Sequence, residues 1–112
     1  MITFPLAMAA LATQLTITVA DQVPRLNVEP VCRGIAQQGG LDLEPNKTLK
    51  QIIDDCVASE NEVRDQLVKD WSTFLAVEKT NCVAESSAGG EASYTELITC
   101  LQMASEVRKL KH

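Results

Sequence analysis

Histidine and aromatic residues are scarce in this 112-residue chain, which has one His, one Trp, one Tyr and two Phe. The single histidine, His112, is the last residue. A serine nucleophile needs a base beside it, and Ser86, Ser87 and Ser93 have no imidazole to serve them. The four cysteines contain no C-x₂₋₄-C pair, the spacing by which one loop presents two thiolates to zinc, and no C-x-x-C redox motif. Glycine-rich phosphate loops and the regular oxygen-ligand loop of an EF-hand are missing as well. No catalytic residue, metal ligand set or cofactor site is therefore expected. Lys and Arg number 10 against 15 Asp and Glu, a formal net charge of −5. A chain with this balance lacks the clustered cations that nucleic acid or anionic lipid demands. A charged partner is expected to be basic; the same charge also keeps a domain soluble.

Charge is missing altogether from Met1 to Ala20, MITFPLAMAALATQLTITVA. Its core, Phe4 to Ala12, is apolar and rich in small residues, as in the h-region of a secretory signal peptide. Thr18 and Ala20 stand where a signal peptidase reads before Asp21, with Ala10 and Ala12 as a second option. No basic residue precedes the apolar core, so an uncleaved anchor is the competing reading. Thr and Gln in the second half make a poor bilayer span, and no stable membrane insertion is expected after cleavage. Residues 1–20 are read as a signal peptide, 21–29 as an extended lead-in and 30–112 as a helical domain, periplasmic or secreted. The 92 residues left after cleavage suit one domain with a modest core, for which covalent staples are common.

Glycine and proline are absent from Asn46 to Ala88. Leu49, Ile52, Ile53, Cys56, Val63, Leu67, Trp71, Phe74 and Leu75 recur there at spacings of three and four, one face of a helix. No stretch after the leader alternates apolar and polar residues as a strand would, so the fold is expected to be all-α, a small disulfide-stapled bundle of three to four helices. Pro30 fits the first turn of a short helix running through Gln38, with Gly39 or Gly40 as its stop. Gly39-Gly40 with Pro45 marks one turn and Gly89-Gly90 a second. Thr48-x-x-Gln51 and Ser93-x-x-Glu96 read as capping boxes. Tyr94, Leu97, Ile98, Leu101 and Ala104 follow the second at helical spacing, and Lys109 and Lys111 complement the far end of that helix. A single helix from Thr48 to Glu85 would measure about 57 Å, too long for its neighbours to cover. A break is expected at Ser59 or between Ser72 and Leu75, the second placing Trp71 and Phe74 at a corner in the core.

The cysteines, Cys32, Cys56, Cys82 and Cys100, are 24, 26 and 18 residues apart. An even count in an exported chain reads as structural disulfides, and four cysteines allow three connectivities. Cys32 and Cys56 flank the Gly39 to Asn46 turn at comparable depth, as Cys82 and Cys100 flank Gly89-Gly90. Hairpin geometry thus favours Cys32–Cys56 and Cys82–Cys100.

The segment CVASENEVRDQLVKDWSTFLAVEKTNC, Cys56 to Cys82, and SYTELITCLQMA, Ser93 to Ala104, resemble a group of small exported proteobacterial helical proteins with paired cysteines and no attached activity. The shared positions are Cys56, Glu60, Arg64, Leu67, Trp71, Phe74, Cys82 and Ser93 to Met103, with Cys32 to Ala36 upstream. The chain departs from that pattern at Leu75, where a polar residue or Ser usually follows the aromatic corner. The resemblance implies a periplasmic or secreted helical domain and supplies no reaction. The general layout is also similar to that of cysteine-paired helical envelope proteins that inhibit lysozyme.

Glu60 and Arg64 stand four apart and interrupt the apolar stripe between Cys56 and Leu67, so they are expected to pair on one helix face, partly inside. Glu60, Arg64, Leu67, Trp71, Phe74, Tyr94, Leu97 and Leu101 are read as core or structural residues. Asp42, Glu44, Asp54 and Asp55 gather near the first turn and read as a solvated face. Asn46-Lys47-Thr48 matches a glycosylation acceptor, which matters only in a eukaryotic secretory pathway. The expected function is a non-catalytic protein-interaction or structural module of the cell envelope. The alternatives are an acidic inhibitor of a basic enzyme such as lysozyme, or a small metal-binding or enzymatic protein using Glu60, Asp54 and Asp55.

Overall fold

In the computed structural model the chain is described over residues 22–40, 44–88 and 92–111. The leader through Asp21, Asp42, the Gly89-Gly90 turn and His112 lie outside the described residues. Thr48 starts the longest helix, α2, Leu49–Asp70. Its hydroxyl accepts from the Gln51 N–H (3.1 Å) while the Gln51 side chain accepts from the Thr48 N–H (2.7 Å), the reciprocal box read from the sequence. Ahead of it, α1 spans Glu29–Ile35 and opens one residue before Pro30. A wide turn, Ala36–Gly40, ends α1 earlier than Gln38; Gln38 has already left helical geometry, and Gly39 has φ +141°, which glycine adopts without strain.

The break in the long apolar stripe falls at the second of its two expected places. A 3₁₀ turn, Trp71–Thr73, follows α2, and Phe74 is extended (φ −95°, ψ 149°) before α3, Ala76–Ser87. The Thr73 hydroxyl donates to the Asp70 carbonyl (2.7 Å), and the Phe74 N–H closes back on the Trp71 carbonyl (3.3 Å). Trp71 and Phe74 are both buried, forming the anticipated corner. Leu75 does not continue the buried face: it is 46% exposed, because the helix stops before it. It also lacks a side chain that could cap α3. Glu78 supplies that bond instead, its Oε1 accepting from the Leu75 N–H at 2.9 Å.

The last helix, α4, covers Tyr94–Leu110. Helices α3 and α4 pack as a hairpin, α2 lies against α4, and α1 lies against the first half of α2. Two disulfides staple these hairpins, Cys32–Cys56 between α1 and α2 and Cys82–Cys100 between α3 and α4, each with Cα atoms 5.6 Å apart. All four cysteines are used in the pairing that turn geometry favoured. The molecule is a small disulfide-stapled helical bundle with no strand among the described residues.

The core has two parts. The larger gathers Leu67, Trp71, Phe74, Cys82, Tyr94, Leu97 and Leu101 under Val28 of the lead-in. The smaller consists of Cys32, Ala36, Ile52 and Ile53. Val31 and Val57, partly buried, touch both and join them. Residues 22–28 run without helix over this surface. The Tyr94 hydroxyl holds them, accepting from the Leu26 N–H (2.8 Å) and donating to the Pro24 carbonyl (3.2 Å). Among the described residues no helix is long and apolar enough to cross a membrane.

Candidate functional site

Glu60 is the carboxylate that the sequence placed inside the apolar stripe, and it is buried at 8% exposure. It does not pair with Arg64, as its spacing suggested. The Arg64 guanidinium lies 4.0 Å from Asp65 instead and is only half-buried. Glu60 points across to the start of α4, where Oε1 accepts from the Tyr94 N–H (2.6 Å), the Thr95 N–H (3.3 Å) and the Ser93 hydroxyl (3.2 Å). Its Oε2 accepts from the Thr95 hydroxyl at 2.5 Å. A helix N-terminus offers unpaired N–H groups and the positive end of the dipole, so neutral donors satisfy this anion better than a flexible arginine on its own helix. The expected box at Ser93 and Glu96 is corrected accordingly. Ser93 Oγ does accept from the Glu96 N–H (3.3 Å), but Glu96 makes no reciprocal bond to it; the carboxylate at this helix start is Glu60 of α2, which takes the Tyr94 and Thr95 N–H groups instead. No buried side-chain nitrogen or oxygen among the described residues is left without a partner.

Glu78 is the second buried carboxylate. Besides capping Leu75 it receives Arg108 of α4 in a two-point contact, Nε to Oε2 at 3.0 Å and Nη2 to Oε1 at 3.2 Å. The guanidinium holds Glu78 below the usual carboxylate range, the Leu75 N–H reinforces this, and burial opposes it. The contact fastens the start of α3 to the end of α4. Sequence spacing could not show it, since the partners are 30 residues apart.

The acids near the first turn are engaged by lysines. Lys47 bridges Glu44 (2.9 Å) and Asp55 (2.7 Å), and Lys50 meets Asp54 (2.6 Å). Asp55 first, then Glu44, raises the Lys47 ammonium above its ordinary value. These residues are exposed or nearly so, the solvated face expected of them. No group of three His, Cys, Asp or Glu among the described residues is placed to hold a metal ion. At the aromatic corner the Lys79 ammonium stands 5.2 Å from the Trp71 ring centroid, a cation–π distance, and the ring itself is packed in the core.

Ile35 of α1 and Val68 of α2 are exposed apolar residues, and the outer surface of α3 and α4 carries several more. A groove of about 500 Å³ runs between them, lined by Glu85, Ser86, Thr95, Glu96, Thr99, Cys100 and Met103. The Glu85 carboxylate lies 3.8 Å from Cys100 Sγ, a contact and not a hydrogen bond, because a half-cystine carries no proton. A second depression of about 320 Å³ shares Thr99 and Met103 and continues to Glu106 and Val107. Met103 is 64%, Val107 53% and Leu110 84% exposed. They stand four and three apart on the side of α4 opposite Leu97 and Leu101, both fully buried. The sequence reading followed only the inward set from Tyr94 to Ala104. The outward set carries the same three-four spacing and was legible by the same rule. Comparison with family models, curated proteins and solved structures finds no match to this chain.

Proposed function

We propose that the chain is an exported helical module that binds another protein and carries no reaction of its own. The outer face of α4 supports this reading most directly. Met103, Val107 and Leu110 form an exposed apolar row on a helix whose inner face is already buried. A helix apolar on both sides suits contact with something further. That helix is also held at several points, by Cys82–Cys100, by Glu60 at its start and by Arg108 near its end. A rigid face loses little entropy on binding. Both buried carboxylates are occupied with helix ends and Arg108, which favours a structural over a catalytic use of them. Export, to the periplasm or beyond, is supported by the uncharged Met1 to Ala20 segment and by two disulfides.

A photo-crosslinking residue in place of Met103, introduced in the producing cell, should give an adduct to a discrete protein. The same group at Glu62, exposed on α2, should not. Failure to obtain a position-specific adduct overturns the reading. Intact mass of the recovered chain should show residues 1–20 removed and two disulfides formed; a full-length chain with four thiols overturns export. A second reading, an acidic inhibitor of a basic enzyme such as lysozyme, is favoured by Glu85 and Glu96. These are exposed carboxylates with no ion-pair partner among the described residues. A cell-wall lysis assay at low salt tests it, and undiminished lysis removes it.

A further inference from the structure

We infer that the groove between α3 and α4 takes a segment of a partner protein in which a Lys or Arg side chain is followed by an apolar one. The inference rests on the binding-module reading and specifies its surface and the chemistry of its occupant. The groove is lined by two carboxylates, Glu96 of α4 and, one turn along beside Cys100, Glu85 of α3, with Cys100 and Met103 as its apolar part. The adjoining depression extends that apolar part through Thr99 and Met103 to Val107. From Glu96 to Val107 the surface covers about 17 Å of helix; Glu106, which also lines the adjoining depression, is already ion-paired with Lys109 (3.6 Å), so Glu85 and Glu96 are the acids left for an occupant.

The two carboxylates have no counter-ion among the described residues. Residues 1–21, 41–43, 89–91 and 112 contain no Lys or Arg. A partner cation seated between Glu85 and Glu96, beside an apolar contact, is shielded from solvent on one side and gains more than an exposed pair would. The net charge of −5 draws such a partner toward the module from a distance. A second copy of the chain fits less well, because it would bring Glu85 and Glu96 of its own to a surface already short of cations.

The test is an NMR titration of the oxidised full chain with a synthetic Lys/Leu octapeptide in helical spacing. Two control peptides replace Lys by Glu and Leu by Ser. The Lys/Leu peptide should produce saturable shifts confined to Glu85, Glu96, Thr99, Met103 and Val107. Affinity should fall about fivefold in E85Q/E96Q and with added salt. It should hold in E62Q/D65N, which removes the same charge from exposed positions on α2. Shifts elsewhere, equal binding of either control peptide, or unchanged affinity in E85Q/E96Q overturn the inference. Concentration-dependent shifts at Met103 without peptide assign the groove to a second copy and also overturn it. The two readings fail separately. A Met103 adduct in cells without peptide binding leaves the module and removes the basic occupant; peptide binding without an adduct leaves the groove chemistry and removes the module.

Discussion

The two stapled hairpins of this molecule use the same device over very different cores. Between α1 and α2 the Cys32–Cys56 bond closes on four buried residues, and α1 itself has only seven residues. Between α3 and α4 the Cys82–Cys100 bond belongs to a cluster of eight buried residues, Cys82 among them, drawn from α2, α3, α4, the Trp71–Phe74 corner and the lead-in. A short helix in isolation is unstable in water, so α1 depends on its covalent tie. Helices α3 and α4 have packing, the Glu60 cap and the Glu78–Arg108 contact as well. The first hairpin is therefore held mainly by covalent constraint and the second mainly by burial.

The largest predicted effect comes from attacking the burial side. Trp71→Ala empties the corner where α2 turns into α3 and should cost about 3–5 kcal/mol by denaturant unfolding. Ile53→Ala in the smaller core should cost less, and the reverse order would break the comparison. Next are the disulfides, each closing a loop whose entropy corresponds to about 3 kcal/mol. The expected difference is one of extent. C32S/C56S should lose hydrogen-exchange protection in α1 and the first turns of α2 while α4 keeps its own; C82S/C100S should lower the melting temperature of the whole domain. Loss of protection in α4 from the first variant would show the two halves to be one unit.

A smaller effect is expected from Glu60→Ala, which leaves the N–H groups of Tyr94 and Thr95 without an acceptor. A loss of about 1–3 kcal/mol is expected, with Glu60→Gln losing less because one oxygen remains. The least is expected from pH. Glu78 is held below its ordinary value of 4.5, so its contribution is complete above that pH and declines as pH falls through the lower folded-state value, where the unfolded chain takes up the proton first. Glu78→Gln should flatten that acid limb of the melting profile. An unchanged limb would assign it to other carboxylates and weaken the case that Arg108 adds to the second hairpin.

Much of this fold was readable because its determinants are local. The Thr48 box and the glycine stop at Gly39 involve neighbours within a few positions. The disulfide pairing followed from the depth of each cysteine below a turn, and the break before Leu75 from the length a single helix would otherwise reach. Glu60 was legible as an anomaly in the stripe but not in its purpose. Its donors are 33 to 35 residues away, and i,i+4 spacing offered Arg64 as a nearer answer. Glu78 and Arg108 gave no signal at all, being ordinary surface residues until two helices meet. The outer row of α4 was visible in spacing, yet a helix with two apolar faces offers two solutions and only packing selects between them.

The hydroxyl of Tyr94 has a consequence for whatever precedes the domain. By clasping Pro24 and Leu26 it fixes the lead-in beside the start of α4. Between Ala20 and Pro24 lie four residue steps, at most about 14 Å of chain. Any body joined to the protein through its leader side, whether a fused reporter, an immobilising bead or a lipid-embedded segment, would be leashed where that phenol and the packing of Val23, Leu26 and Val28 hold the lead-in. Its swing, and the side from which the acidic groove can be approached, would be set there.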